Sequence, residues 1–302
     1  MRALVTGITG QVGGAIVQTL SPKLSVVAAN RQKIDLAQPD RITAALEEIS
    51  PDLIINPAAY TAVDRAEDER ELAYKINAEA PGVIARWAAA RRVPLIHFST
   101  DYVFDGSGSR AWREDDLTRP LSVYGKSKLA GEQAVVAAGG SYLIVRTSWV
   151  YAATGSNFLR TITRLALERK ALRIVADQIG APTSAQLIAE VLANIITVNP
   201  VMIREIFARA KGIVNVAASG ETTWHGFAVA ILSGLKARGV KLMAEEVTPI
   251  VTKDHPTKAK RPMNSRLDLG RLRDVFKIEP PPWDKVLNAE LDQVAALPYV
   301  KS

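Results

Sequence analysis

The sequence predicts an α/β fold, a doubly wound parallel sheet followed by a smaller C-terminal α/β domain. Three observations predict it. Short apolar runs of strand length recur through the first half, and most are followed by stretches of helical character. The first run ends in a glycine-rich turn that opens a helix. Past Arg146 the alternation loses its regularity. Residues 1–150 therefore read as one sheet-based unit that continues in part beyond 150, and residues 151–302 as mostly a second unit interleaved with the last strands and helices of the first.

Ala3-Leu4-Val5 marks a first strand at about 2–6, apolar throughout, as in a strand buried on both faces. The string Gly7-Ile8-Thr9-Gly10-Gln11-Val12-Gly13 follows, and Ala15 to Leu20 reads as helix. Further strands are expected at about 24–29, 52–55, 94–98 and 142–146, with a long Ala-rich helix from Ala73 to Arg92. In the second half, Asn157–Lys170, Ser184–Thr197 and Trp224–Arg238 read as helices and 213–216 as a strand. Pro280-Pro281-Pro282 precedes a last helix at Trp283–Ala295.

The strand, glycine turn and helix together are the context in which a dinucleotide pyrophosphate binds. Gly7 permits a tight turn, Gly10 lets the backbone approach phosphate, and Gly13 lets the helix sit close to the sheet. The free N–H groups of the helix start, with Thr9, Gln11 and Val12 in the same loop, then face the phosphates. The second strand ends at Asn30-Arg31 rather than at an acid. An Arg there suits a 2′-phosphate, which favours NADPH and leaves NADH possible. Asp35 and Leu36 follow closely enough to frame an adenine.

Tyr124 and Lys128 stand one helical turn apart, so their side chains share a face. A phenol is a poor acid–base group near neutral pH, and a neighbouring ammonium lowers its pKa. The pair can thus exchange a proton with a substrate oxygen. Thr100 lies just past the apolar run Leu95-Ile96-His97-Phe98, where ligands of open α/β sheets bind, and its hydroxyl can polarise the same carbonyl. His97, within that run, reads as core. His225 and His255 have no partner at metal-ligand spacing, so no metal is assigned.

Composition narrows the class. The chain is 48% hydrophobic and 23% charged, ordinary for a soluble globular protein. It has no cysteine, which excludes disulfides and thiolate metal sites and suits a reducing cytoplasm. No apolar run reaches the roughly 18 residues of a membrane span, and the N-terminus reads as strand and loop rather than secretory signal. The net charge of +7 comes with no nucleic-acid motif, so nucleic acid is not an expected partner. A positive field instead suits polyanionic small molecules. Basic residues cluster at Arg169–Arg173 and Lys253–Arg261.

Glycine loop, strand-end hydroxyl and Tyr-x-x-x-Lys together resemble the extended short-chain dehydrogenase/reductase superfamily. Longer strings narrow this to the dTDP-4-dehydrorhamnose reductases: Asn56 to Glu67, Ser99 to Gly106, Tyr124 to Glu132, Arg146 to Tyr151, Asp177 to Thr183 and Arg261 to Ser265, in the family's order. The resemblance implies a Rossmann sheet with a C-terminal substrate-binding domain and a site in the cleft between them. It implies reduction of the C4 ketone of dTDP-4-dehydro-6-deoxy-L-mannose to dTDP-L-rhamnose with NAD(P)H. Tyr124 is then the proton donor, Lys128 holds the nicotinamide ribose, and Thr100 takes the place of the superfamily's Ser. Ala58, Ala59, Tyr60 and Thr61 line the cofactor, while Val63, Asp101, Tyr102 and Trp149 contact the sugar nucleotide. A reductase of another nucleotide-activated 4-keto sugar shares this scaffold. An NADP-binding regulatory subunit, resembling the methionine adenosyltransferase beta subunit, is the reading from a different class.

Two positions depart from the family pattern. Some members carry a Glu two residues after the third glycine that bridges a dimer through Mg²⁺, and here that residue is Ala15. The chain is accordingly expected as monomer or homodimer without that metal link, although Glu190 offers one carboxylate. Pro57 replaces a more usual small residue and removes a backbone donor beside the cofactor.

Overall fold

The computed structural model describes residues 1–198 and 200–301. Five apolar runs form strands close to their expected places: β1 (Arg2–Val5), β2 (Ser25–Ala28), β3 (Leu53–Asn56), β4 (Leu95–Thr100) and β5 (Tyr142–Thr147). With Ile213–Asn215 they make a six-stranded sheet in which every pairing is parallel. Numbering onward, β6 is Val150–Tyr151, β7 Ala171–Val175, β8 Ile179–Gly180, β9 Thr183–Ser184 and β10 the Ile213–Asn215 edge strand. β11 (Thr222–Thr223) and β12 (Glu246–Ile250) complete the series.

The sheet order is β10-β5-β4-β3-β1-β2. The chain leaves β1 for β2 on one side and returns to β3 on the other. The order therefore reverses between β1 and β3, and the crevice outside their carboxyl ends is where such sheets take ligands. Alternation of side chains builds two cores. Ala3, Val5, Leu53 and Ile55 point to the face covered by α1 (Gln11–Leu20), while Leu4 and Ile54 point to the face covered by α2 (Pro39–Ile49). The remaining small strands pair two by two as β6–β9, β7–β12 and β8–β11. A third core, around Tyr151, Phe227 and Leu291, belongs to the second half of the chain.

The expected helix over 73–92 is broken. α3 (Arg70–Tyr74) runs through a π turn at Lys75–Glu79 into α4 (Ala80–Arg91). Pro81 supplies the cause: it has no N–H to give the Asn77 carbonyl four residues earlier, so the ladder shifts there. Later come α5 (Val123–Ala137), α6 (Phe158–Glu168), α7 (Ala185–Thr197), α8 (Ile203–Arg209), α9 (Trp224–Ala237), α10 (Gly270–Phe276) and α11 (Trp283–Ala295). α7 packs beside α1 on the sheet, and the other long helices expected in the second half stand within two residues of their expected ends.

Candidate active site

A cleft of about 1540 Å³ opens along the carboxyl ends of β1, β3, β4 and β5. Its floor begins at the glycine loop. Gly7 has φ +59°, and a Cβ there would lie 2.8 Å from the Ala58 Cα. A Cβ on Gly13 would lie 2.2 Å from the Gly7 carbonyl oxygen, so only glycine lets α1 start this close to β1. The first N–H groups of a helix have no intrahelical partner, and Gly10 at the N-cap has no side chain to cap them. Thr9, Gln11 and Val12 line the cleft with these glycines.

Arg31, Asp35 and Leu36 line its outer end. The Arg31 side chain is 78% exposed and sits 3.7 Å from Asp35, a loose pair with its charge open to solvent. Asp35 also accepts from the Ala37 N–H at 2.9 Å, which shapes the turn. Beyond β3, the half-buried residues Ala58, Ala59 and Tyr60 and the exposed Thr61 form the next stretch of wall. Pro57 lies in the same wall.

At the end of β4, the Thr100 hydroxyl donates to Asp101 at 3.0 Å and accepts from the Tyr102 N–H at 3.2 Å. α5 starts on a Ser122 cap that accepts from the Gly125 N–H at 3.2 Å. A Cβ on Gly125 would lie 2.2 Å from the Tyr102 carbonyl oxygen, so glycine here brings Tyr124 against the Thr100–Tyr102 turn. The Tyr102 and Tyr124 rings meet edge-on at 5.5 Å. One turn on, the buried Lys128 ammonium donates to the Phe98 carbonyl at 2.7 Å.

The lowered phenol pKa expected from the Tyr/Lys spacing is not found. Burial pushes Tyr124 well above the ordinary phenol range, and a hydrogen bond with Thr100 only partly opposes it. The Lys128 charge is directed at the Phe98 carbonyl instead, and burial pulls its own pKa down to about 8. Burial likewise raises the Asp101 carboxyl to about 6, against hydrogen bonds from Ser265 and Thr100.

Val63, Tyr102 and Trp149 complete the inner wall with Asp101. Trp149 has φ +48° and stacks on Trp224 with ring centres 3.7 Å apart. Gly180 makes room for the ring, since a Cβ there would come within 2.6 Å of it. The Tyr102 hydroxyl accepts from Arg261 at 3.2 Å, and Arg261 pairs with Asp64 at 2.6 Å.

A family model described as the RmlD substrate binding domain matches residues 1–296 of the chain. The chain belongs to that family. It is 44% identical over 287 residues to the dTDP-4-dehydrorhamnose reductase of Burkholderia thailandensis, covering 94% of this chain and 95% of that protein. It is 39% identical over 301 residues to the Escherichia coli K12 reductase, covering 97% and 98%. Among solved structures, the dTDP-4-dehydrorhamnose reductase of Bacillus anthracis in complex with NADP superposes with a TM-score of 0.86 at 33% identity, covering 97% of this chain and 99% of that one. The Thermus thermophilus UDP-glucose 4-epimerase, at 19% identity and a TM-score of 0.77, shares the fold.

In this RmlD-family cleft, the residues fit a dinucleotide. The uncapped start of α1 faces the space, and the buried polar atoms Ser99 Oγ, Asp101 Oδ2, Thr147 Oγ1 and Ser148 Oγ on its walls have no partner within the protein. A buried polar group without a partner is a group poised for a ligand or water. Among the described residues no three His, Cys, Asp or Glu side chains cluster as a metal site. Glu190 accepts from Gln186 at 2.9 Å, and Ala15 lines the cleft without an oxygen.

Sequence reasoning missed Asn77. The π turn swings it fully inward, where its side chain accepts from the Tyr60 N–H at 2.8 Å and donates to the Tyr60 carbonyl at 3.1 Å and to Ser127 Oγ at 2.9 Å. Ser127 in turn donates to the Tyr124 carbonyl at 2.8 Å. A Cβ on Gly131 would lie 2.0 Å from the Asn77 carbonyl oxygen, so that glycine admits the π turn against α5. An Asn four residues before a Pro inside an Ala-rich helix was the available signal.

Proposed function

We propose that this chain reduces the C4 ketone of dTDP-4-dehydro-6-deoxy-L-mannose to dTDP-L-rhamnose with NADPH, Tyr124 being the proton donor. One observation carries the reading: Tyr124, Thr100 and Lys128 converge at the end of β4 in the same cleft as the glycine loop. The names of the relatives and the NADP complex of one of them support it. Nicotinamide, when bound, supplies the hydride.

The protein's own groups handle binding and the proton. The N–H groups of Gln11, Val12 and Gly13 would hold the pyrophosphate, with Gly7, Thr9 and Gly10 shaping the approach. Arg31 would hold the 2′-phosphate, and Asp35 and Leu36 the adenine. Ala58, Ala59, Tyr60 and Thr61 would line the cofactor, with Lys128 at the ribose. Val63, Asp101, Tyr102 and Trp149 would hold the sugar nucleotide.

Burial keeps the Tyr124 phenol protonated at neutral pH, the form a reduction consumes. Thr100 stands in the same wall of the cleft and would present its hydroxyl to the same substrate oxygen. On this reading residues 1–150 bind mainly cofactor and 151–302 mainly substrate. The chain works as a monomer or homodimer in the cytoplasm. Among the described residues, no helix is long and apolar enough to cross a membrane.

The test is turnover of the dTDP-4-keto sugar with NADPH, the product identified by NMR. Tyr124→Phe should lower the rate by about 10²–10⁴-fold while leaving the NADPH Kd unchanged. Near-wild-type turnover in that variant, or no turnover of this sugar by the wild type, overturns the reading.

A further inference from the structure

One wall of the cleft is the irregular segment Ala152 to Asn157, between β6 and α6. It is fixed at its root. The buried Glu290 carboxylate of α11 accepts from the Ala153 N–H at 2.7 Å, and Arg160 donates to the Ala153 carbonyl at 2.9 Å. Its far end is governed by a single side chain. Asn157 Oδ1 caps α6 by accepting from the Arg160 N–H at 3.1 Å. Asn157 Nδ2 faces three acceptors: the Ala152 carbonyl at 2.9 Å, the Thr154 carbonyl at 3.0 Å and Gln11 Oε1 at 2.8 Å.

The third of these joins the wall to the first residue of α1, across 146 residues of sequence. Gly155, with φ +76°, lays the segment over the Gln11 side chain, a Cβ there falling 3.4 Å from Gln11 Cγ. An amide nitrogen carries two hydrogens. Three acceptors therefore share two donors, and the bond to Gln11 can be surrendered while the segment keeps its own two. A fastening of this kind opens without dismantling the wall behind it.

We infer that Asn157 is a positioning residue that fastens the Ala152–Asn157 wall to Gln11 at the start of α1, and that this bond sets how long a nicotinamide dinucleotide stays in the cleft. The inference rests on the proposed cofactor reading, because the uncapped N–H groups beside Gln11 are those assigned to the pyrophosphate. It adds a residue outside the binding set and a role separate from the proton chemistry.

The experiment is stopped-flow release of NADPH from the full-length protein, followed by its fluorescence. Gln11→Ala removes the acceptor. Asn157→Asp keeps an oxygen for the α6 cap but removes both amide hydrogens. Loss of the Gln11 bond should speed release by about 2- to 10-fold in Gln11→Ala, and Asn157→Asp, which also frees the Ala152 and Thr154 carbonyls, should speed it at least as much. The double variant should release no faster than the faster single one, since both changes break the same bond. Unchanged release in both variants overturns the inference, as does a fully multiplicative double variant. Failure of the wild type to bind NADPH at all overturns the cofactor reading instead. Gln11→Ala, at a half-buried helix start, keeps the test open if Asn157→Asp fails to fold.

Discussion

Replacing Asn77 by Ala tests how the π turn supports the site. Asn77 is fully buried and makes three side-chain hydrogen bonds, two to the Tyr60 backbone and one to Ser127. Each is worth about 0.5–1.5 kcal/mol net. Ser127 keeps its bond to the Tyr124 carbonyl, and half-buried Tyr60 recovers some water, so the total should be about 3 kcal/mol rather than the upper sum. For 302 residues, about 2.1 cal/mol/K per residue gives an unfolding entropy of about 0.6 kcal/mol/K. The expected fall in Tm is then about 5 °C, read by calorimetry under reversible, two-state conditions. Tyr60 sits in the wall assigned to the cofactor, and Ser127 precedes Lys128. The NADPH Kd should therefore rise with the loss of stability. A Tm within 1 °C of wild type together with an unchanged Kd would refute the reasoning, because it would mean that these bonds are replaced at no cost.

Three further outcomes are expected. Burial lowers Lys128 from 10.5 to about 8 in the folded state, so the unfolded chain holds the extra proton between those values and wild-type stability should rise with pH across that window. Lys128→Met should therefore abolish turnover yet exceed wild type in Tm at pH 7, with the margin closing toward pH 10; a constant margin contradicts this. Arg31→Ala should erase an NADPH preference of about 10- to 150-fold, the worth of one charge-assisted bond, and leave NADH kinetics alone; equal kcat/KM for both cofactors in wild type would contradict it. EDTA should change neither turnover nor sedimentation, since Ala15 offers no oxygen where a bridging carboxylate would stand; reversible loss of either would reveal a metal site.

The sheet was legible because its strands are short, apolar and local in their signal. β1, β3, β4 and β5 each read as continuous hydrophobic runs, which is what burial on both faces requires. The glycine loop was legible for a related reason: Gly7 and Gly13 answer contacts with Ala58 and Gly7 that no larger residue survives. What escaped was long-range. Asn77 reaches Tyr60 and Ser127, and Asn157 reaches Gln11, across spans that no local period encodes. The phenol pKa escaped as well. Residue spacing put Lys128 on the right helix face, but only the fold could aim its ammonium at the Phe98 carbonyl and bury the phenol.

His97 was read as core, and it is fully buried. It is also the end of a polar line across the sheet. The Thr6 hydroxyl donates to Asn56 Oδ1 at 2.6 Å, which fixes the orientation of that amide. Asn56 Nδ2 must then donate to His97 Nδ1, 3.2 Å away, leaving the ring's one proton on Nε2. Burial, reinforced by the Lys128 charge, holds the His97 pKa well below its ordinary value, so the ring stays neutral. A protonated ring would set a second buried cation against an ammonium that burial has already weakened. Thr6 at the glycine loop is thus tied to His97 through Asn56, and Lys128 acts on the ring only through its charge. Asn56 on β3 and His97 on β4 interrupt otherwise apolar strands, and Thr6 directly follows β1, where the sheet passes beneath the site.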